Sequence, residues 1–182
     1  LRESVPDCYA DLGFTTVSTN PCGEIPLCPY DSCRLLALNL YSYVENPFSD
    51  DAVFNSELFT KHVYYAQRMM DDIIDLESEK IDKILEKIAS DPEDDETKRI
   101  ERTLWEKIKA KTLKGRRTGI GITAEGDMLA ALGARYGSDE AINFSVEVHK
   151  QLAIVAYRSS MFLAKERGRS EEHTSELQSL SS

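Results

Sequence analysis

Five of the six prolines, Pro6, Pro21, Pro26, Pro29 and Pro47, fall in the first 47 residues, and only Pro92 follows them. Proline fixes φ and has no amide hydrogen to give a helix or a sheet ladder, so this opening stretch is expected to be irregular or extended. From Asn55 onward the pattern changes. Phe59, Val63, Ala66, Met70 and Ile73 recur at three- and four-residue steps, which predicts a helix running to about Leu76. Ile81, Ile84, Leu85 and Ile88 repeat the pattern in a shorter segment. The acidic loop "SDPEDDE" then breaks it, with Pro92 placed to begin the next helix, whose stripe is Ile100, Leu104 and Ile108 and whose stop is Gly115. A last long helix is expected after Ser138, a good N-cap, with Asp139 and Glu140 set against the helix dipole. Its inner face would be Phe144, Val148, Leu152, Val155 and Phe162. Met69, Met70 and Trp105 lie in such stripes and are read as core.

Two apolar stretches resist assignment by period. "RLLALNLYSYV", after Cys33, suits either a buried strand or a short helix. "TGIGITAEGDMLAALG" contains Gly119-x-Gly121-x-x-Ala124, the spacing of a dinucleotide fingerprint, but a polar, basic helix precedes it where that fingerprint needs a buried strand. It is read as a backbone crossing where glycines allow close approach, with Asp127 to Leu132 helical and Gly133 near the cap.

With 182 residues and 41% apolar content, one core can be buried and nothing demands two domains. No apolar run approaches the length of a bilayer span. The start "LRESVPDCYADLGF" lacks the regions of a signal peptide, so the default compartment is the cytoplasm. A net charge of -10 argues against nucleic acid as partner. The one basic run, Lys107 to Arg117, reads as a solvated helix end or, more weakly, a local phosphate contact.

Chemistry concentrates in "NPCGEIPLCPYDSC", Asn20 to Cys33, which holds Cys22, Cys28 and Cys33; Cys8 is the fourth cysteine. Disulfide frameworks serve small secreted domains, and no secretory mark is present. The paired spacings of a zinc site are absent, and His62, His149 and His173 are scattered. In an extended segment alternate residues share a side, so Asn20, Cys22 and Glu24 would present an amide, a thiol and a carboxylate together, stiffened by Pro21 and freed at Gly23. Such a finger can bind a hydroxylated substrate, take a proton and do thiol chemistry in one small volume. The plainer reading is a proline-rich turn with a buried Cys22, a solvated Glu24 and an Asx-turn at Asn20.

"NPCGEIPL" with the later "DSCRLLALNL" resembles the active-site segment of ribonucleotide reductase large chains, especially the adenosylcobalamin-dependent class. "RRTGIGITAEGDMLAALGARYGS" resembles a further segment of that family, so the likeness spans most of Val5 to Gly168. It implies reduction of ribonucleotides to deoxyribonucleotides by thiyl-radical chemistry. Cys22 then matches the radical cysteine that abstracts the 3'-hydrogen, Glu24 the base at the 3'-hydroxyl, and Asn20 the amide on the ribose hydroxyls. Cys33 matches one half of the reducing cysteine pair, its partner lying outside this chain. The short separation of Cys22 from Cys33 fits the adenosylcobalamin class better than the two-subunit class, which stays the alternative. Cys8 and Cys28 match no motif position and are read as buried or idle.

The family's fold is a ten-stranded α/β barrel with the radical cysteine on a central finger loop. This piece would supply the finger, one or two strands and mostly outer helices, as a partial catalytic barrel domain over residues 1–168. Expected partners of the parent enzyme are a ribonucleotide substrate, a thioredoxin-type reductant, a nucleotide effector and a second copy of itself. The cobalamin-holding residues cannot be picked out, no metal site is expected, and the piece alone should be inactive, with apolar faces exposed and poor solubility or a molten state. "RSEEHTSELQS", Arg169 to Ser179, resembles the translation of a sequencing adapter, so 169–182 is expected to be a non-native, disordered tail in which His173 has no role. A non-catalytic helical module, or a metal-binding regulator using Cys22, Cys28 and Cys33, is the reading from a different class.

Overall fold

The computed structural model describes residues 14–23 and 25–168. Cys8, Glu24, His173 and the expected tail lie outside them. The chain divides into two compact units, one holding the described residues up to Arg34, Asp71–Arg117 and those from Ala164, the other Leu35–Met70 and Thr118–Leu163. One core was expected. The difference follows from helix length, because α1 (Ser56–Ser90) has 35 residues and so extends about 50 Å, too far for one small core to cover.

In the first unit, β1 (Ser18–Thr19) pairs antiparallel with β2 (Pro26–Leu27), Ser18 opposite Leu27 and Thr19 opposite Pro26. The later half of α1 and all of α2 (Asp95–Gly115) complete it, with the last residues of α4 (Asp139–Arg167). Nothing between Leu76 and Ile81 breaks a helix, since "ESEK" is made of good or tolerable helix residues, so the two expected segments are one. Ile74, Ile81 and Ile88 face inward seven residues apart. Ile74 takes the place expected of Ile73, which is exposed. Asp94 heads α2 rather than Pro92: its Oδ1 accepts from the amides of Glu96 (3.0 Å) and Thr97 (2.9 Å), a bond a proline ring cannot offer. Gly115 ends the helix as expected, and Arg116 follows in the left-handed region at φ +44°. The α2 stripe is only partly covered, with Ile100 and Leu104 exposed and Trp105 half-buried.

An ion-pair network closes this unit. The Asp71 carboxylate accepts from Arg116 Nε at 2.7 Å and from Arg167 Nη1 at 2.6 Å; Arg116 also reaches Asp75 (2.7 Å) and Arg167 reaches Asp72 (2.6 Å). Arg34, at the head of β3 (Arg34–Asn39), donates to Glu77 (2.6 Å), Thr112 Oγ1 (3.1 Å) and the Ser32 carbonyl (3.1 Å).

The second unit resolves both ambiguous stretches. "RLLALNLYSYV" is strand and then helix: β3 runs into a 3-10 turn over Leu40–Tyr43. The chain then makes β4 (Val44–Glu45), which pairs antiparallel with β5 (Val53–Phe54). "TGIGIT" is β6 (Thr118–Thr123), hydrogen-bonded to β3, and α3 (Glu125–Ala131) follows. The glycines therefore lie within a strand, and a Cβ at Gly121 would meet nothing within 4 Å, so no close approach occurs there. Leu40, Tyr43, Phe54, Phe59, Val63, Met128, Leu129, Ala141 and Val148 form the core. Edge-to-face rings join it, Tyr43 to Phe59 at 5.1 Å and Phe54 to Phe144 at 5.7 Å. Ser138 caps α4 as expected, its Oγ accepting from Ala141 N at 3.3 Å.

Toward its end α4 buries Ser159 and Leu163, while Phe162 is exposed, as is Met69 on α1. Ser159 Oγ donates to the Tyr64 carbonyl at 2.9 Å, a contact only a small polar side chain can make. A second apolar stripe, Ile142, Val146, Ile154 and Tyr157, is exposed along α4. Apolar faces were expected to be left open. Among the described residues there are three two-stranded sheets and no closed barrel. No described helix is long and apolar enough to cross a membrane.

Candidate active site on the Asn20 hairpin

Asn20 to Gly23 form a tight turn that closes onto Ile25, not the extended finger expected. Asn20 closes it three times: its N–H donates to the Ile25 carbonyl (3.1 Å), its carbonyl accepts from Gly23 N–H (3.0 Å), and its side-chain Oδ1 accepts from Ile25 N–H (2.9 Å). Gly23 turns the chain at φ +79°, in the left-handed region that a side chain disfavours. Side-chain alternation therefore does not carry through residues 20 to 23. The local amide bond anticipated in the plainer reading of Asn20 is present, and it leaves the Nδ2 hydrogens as that side chain's handle for an oxygen-rich ligand. Cys22 is exposed in this loop, so the reading of it as a buried small residue is not met. Glu24, the expected base, lies outside the described residues.

The other two thiols sit in different surroundings. Cys28 is buried, and its Sγ donates to Asp31 Oδ2 at 3.3 Å. Burial pushes this thiol up, and the neighbouring Asp31 charge and hydrogen bond push it further, so it resists ionisation and reaction. Its burial agrees with the expectation of a buried thiol. Cys33 is half-buried at the foot of β3, its Sγ 3.7 Å from the Arg34 carbonyl. Its two neighbours in sequence are fixed, because Arg34 binds the Ser32 carbonyl as well as Glu77 and Thr112. No disulfide joins the three described cysteines.

Three residues the motif reading did not single out hold this region. Asp31, with a side chain 2% exposed, receives Ser32 N–H at 2.9 Å and the Cys28 thiol, and pairs with Arg117 Nε at 3.0 Å. Arg117 also donates to the Pro26 carbonyl of β2 at 3.2 Å. Arg34 is the third. In the sequence Arg117 ends the basic run read as a solvated helix end and opens "RRTGIGIT"; its side chain is instead largely covered and paired with Asp31. Among the described residues no three His, Cys, Asp or Glu side chains gather in a way that could hold a metal ion.

The family model of the ribonucleotide reductase barrel domain matches residues 13–179, both units and the hairpin together. This chain belongs to that family. It is 32% identical over 151 residues to a vitamin B12-dependent ribonucleoside-diphosphate reductase of Thermoplasma acidophilum, covering 83% of this chain and 16% of the relative. A protein of the same description from Mycobacterium tuberculosis is 30% identical over 151 residues, covering 83% and 18%. The alpha subunit of a ribonucleoside-diphosphate reductase of Chlamydia pneumoniae is 29% identical over 154 residues, covering 82% and 12%. The chain thus spans less than a fifth of the length of these ribonucleotide reductases.

Proposed function

We propose that this chain is the radical-finger segment of a vitamin B12-dependent ribonucleotide reductase, acting on ribonucleoside diphosphates as the names of its B12-dependent relatives indicate. The observation that carries the reading is an exposed Cys22 in a loop closed by Asn20, in a chain of the barrel-domain family. Such a thiol is open to a substrate on one side while its backbone is held still. The exposed second stripe of α4 supports a piece that belongs inside a larger ten-stranded barrel, because a helix apolar on two faces is one that is covered on both.

In this reading the Cys22 sulfur, as a thiyl radical, takes the 3'-hydrogen of the ribose. Glu24 receives the 3'-hydroxyl proton, and the 2'-hydroxyl, protonated by the reducing cysteine pair, leaves as water. Asn20 holds the ribose hydroxyls through Nδ2, its oxygen being already engaged by Ile25. Cys33 and its partner cysteine elsewhere in the parent give up two electrons and their two protons and close to a disulfide; Glu24 returns its proton to the 3'-oxygen, and Cys22 returns the hydrogen to the 3'-carbon and is again a thiyl radical. A thioredoxin-type reductant reopens that disulfide, a nucleotide effector regulates the parent, and the parent pairs with a second copy. Cys28 takes no part. Adenosylcobalamin, when bound, supplies the one-electron chemistry that makes the radical. The exposed thiol suits the receiving end of that transfer, and no residue of this chain is assigned to hold the corrin.

In the full-length parent, Cys22→Ala should abolish exchange of the substrate 3'-hydrogen, and normal turnover in that variant would sink the assignment. Cys33→Ser should keep that exchange but lose repeated turnover with thioredoxin; unimpaired multiple turnover would remove Cys33 from the redox pair. Activity that does not depend on added adenosylcobalamin would move the parent to the two-subunit class.

A further inference from the structure

We propose that Arg117 is a positioning residue for the Cys22 hairpin, an ion-pair clamp that sets where the thiol stands and so governs the rate of the hydrogen-atom step rather than nucleotide binding. The proposal rests on the reading of Cys22 given above. A two-residue ladder such as β1 with β2 is weak by itself, so the hairpin needs an outside anchor to hold a reacting atom in place. Arg117 provides one. Its Nη1 binds the Pro26 carbonyl on β2 at 3.2 Å, and its Nε pairs with Asp31 Oδ2 at 3.0 Å. Asp31 fixes the turn that follows the hairpin: its backbone amide donates to the Cys28 carbonyl at 3.2 Å, and its carboxylate receives Ser32 N–H and the Cys28 thiol. One guanidinium therefore ties the second strand of the hairpin to the turn behind it.

The clamp is itself anchored. Arg116, one residue earlier, leaves α2 at φ +44° and is held by Asp71 and Asp75 on α1, so Arg117 emerges from a fixed point in a fixed direction. The clamp side chains are 12% exposed for Arg117 and 2% for Asp31, so the ion pair between them is shielded from water, while the Pro26 bond lies nearer the surface. The geometry needs arginine. A lysine ammonium is a single point charge and cannot serve a carbonyl and a carboxylate from two ends of a planar fork. Displacing a reacting group by about 1 Å costs on the order of a hundredfold in rate.

The test uses the full-length parent with its cofactor, carrying Arg117→Met or Arg117→Lys. Arg117→Met should lower kcat about a hundredfold with KM within about twofold of wild type. Arg117→Lys keeps the charge and the fold, and kcat should remain at least about tenfold down. In Arg117→Lys, which keeps the positive charge that favours the thiolate, the Cys28 thiol should be alkylated at least about tenfold faster under native conditions, because Asp31 is no longer held over it. Wild-type kcat in Arg117→Lys, a rise in KM that accounts for the loss, or unchanged protection of Cys28 would each overturn the clamp. Should wild-type parent fail to reduce ribonucleotides, the functional reading fails separately, and the Cys28 protection alone decides whether Arg117 is a clamp.

Discussion

Asp71→Ala should open the network at the middle of α1 by about 3 kcal/mol, a value built from its contacts. The Asp71 side chain is 11% exposed and accepts from two guanidinium groups, Arg116 at 2.7 Å and Arg167 at 2.6 Å. Charge-assisted hydrogen bonds to a covered carboxylate contribute about 1.5–3 kcal/mol each. The sum is reduced because neither arginine is stranded: Arg116 keeps Asp75 and Arg167 keeps Asp72, both half-exposed partners, and surface pairs contribute at most about 1 kcal/mol. The assay is amide exchange at the α2 C-terminus, where Arg116 N–H donates to the Thr112 carbonyl at 2.9 Å. A loss of 3 kcal/mol there is roughly a hundredfold faster exchange. Acidity supplies an internal check. Burial alone would raise the Asp71 carboxyl, but the bonds from Arg116 and Arg167 outweigh it and hold the group below its usual range. Its stabilisation is complete above the ordinary carboxylate value of about 3.9 and is lost as pH falls through the lower folded value. The gap between wild type and Asp71→Asn should thus be constant near neutrality and close in acid. Exchange in Asp71→Ala within about threefold of wild type would show that the other pairs carry the junction.

Two further outcomes follow from packing and burial. Ile74→Ala should destabilise α1 by about 3 kcal/mol and Ile73→Ala by less than about 1 kcal/mol, read from exchange along the helix; equal effects would mean that the inward face is misassigned. Alkylation of the native chain at pH 8, mapped by peptide mass, should modify Cys22 first, Cys33 next and Cys28 last by at least about tenfold, and early labelling of Cys28 would contradict its burial.

What could be read from the sequence and what could not divide along physical lines. Local signals were sufficient where one residue does one local job: Ser138 caps α4, Gly115 ends α2, and the Asn20 to Cys33 string carries the likeness to the family that the barrel-domain match bears out. They failed wherever the choice depends on what lies across the interior. Ile73 and Ile74 are adjacent and equally apolar, so the stripe before them is continued by either, and only the wall that α1 meets selects Ile74. Met69 beside Met70 and Phe162 beside Leu163 pose the same choice. The exposed member of each pair is not a violation of hydrophobic patterning, since single apolar side chains are common on protein surfaces. Arg117 was hidden for the opposite reason. Its partners Pro26 and Asp31 lie far away in sequence, and a single arginine in a basic run gives no sign that it is spoken for. The motif thus singles out Cys22 as the candidate thiol, while the contacts around its hairpin are distributed over the fold and become visible only when the chain is closed on itself.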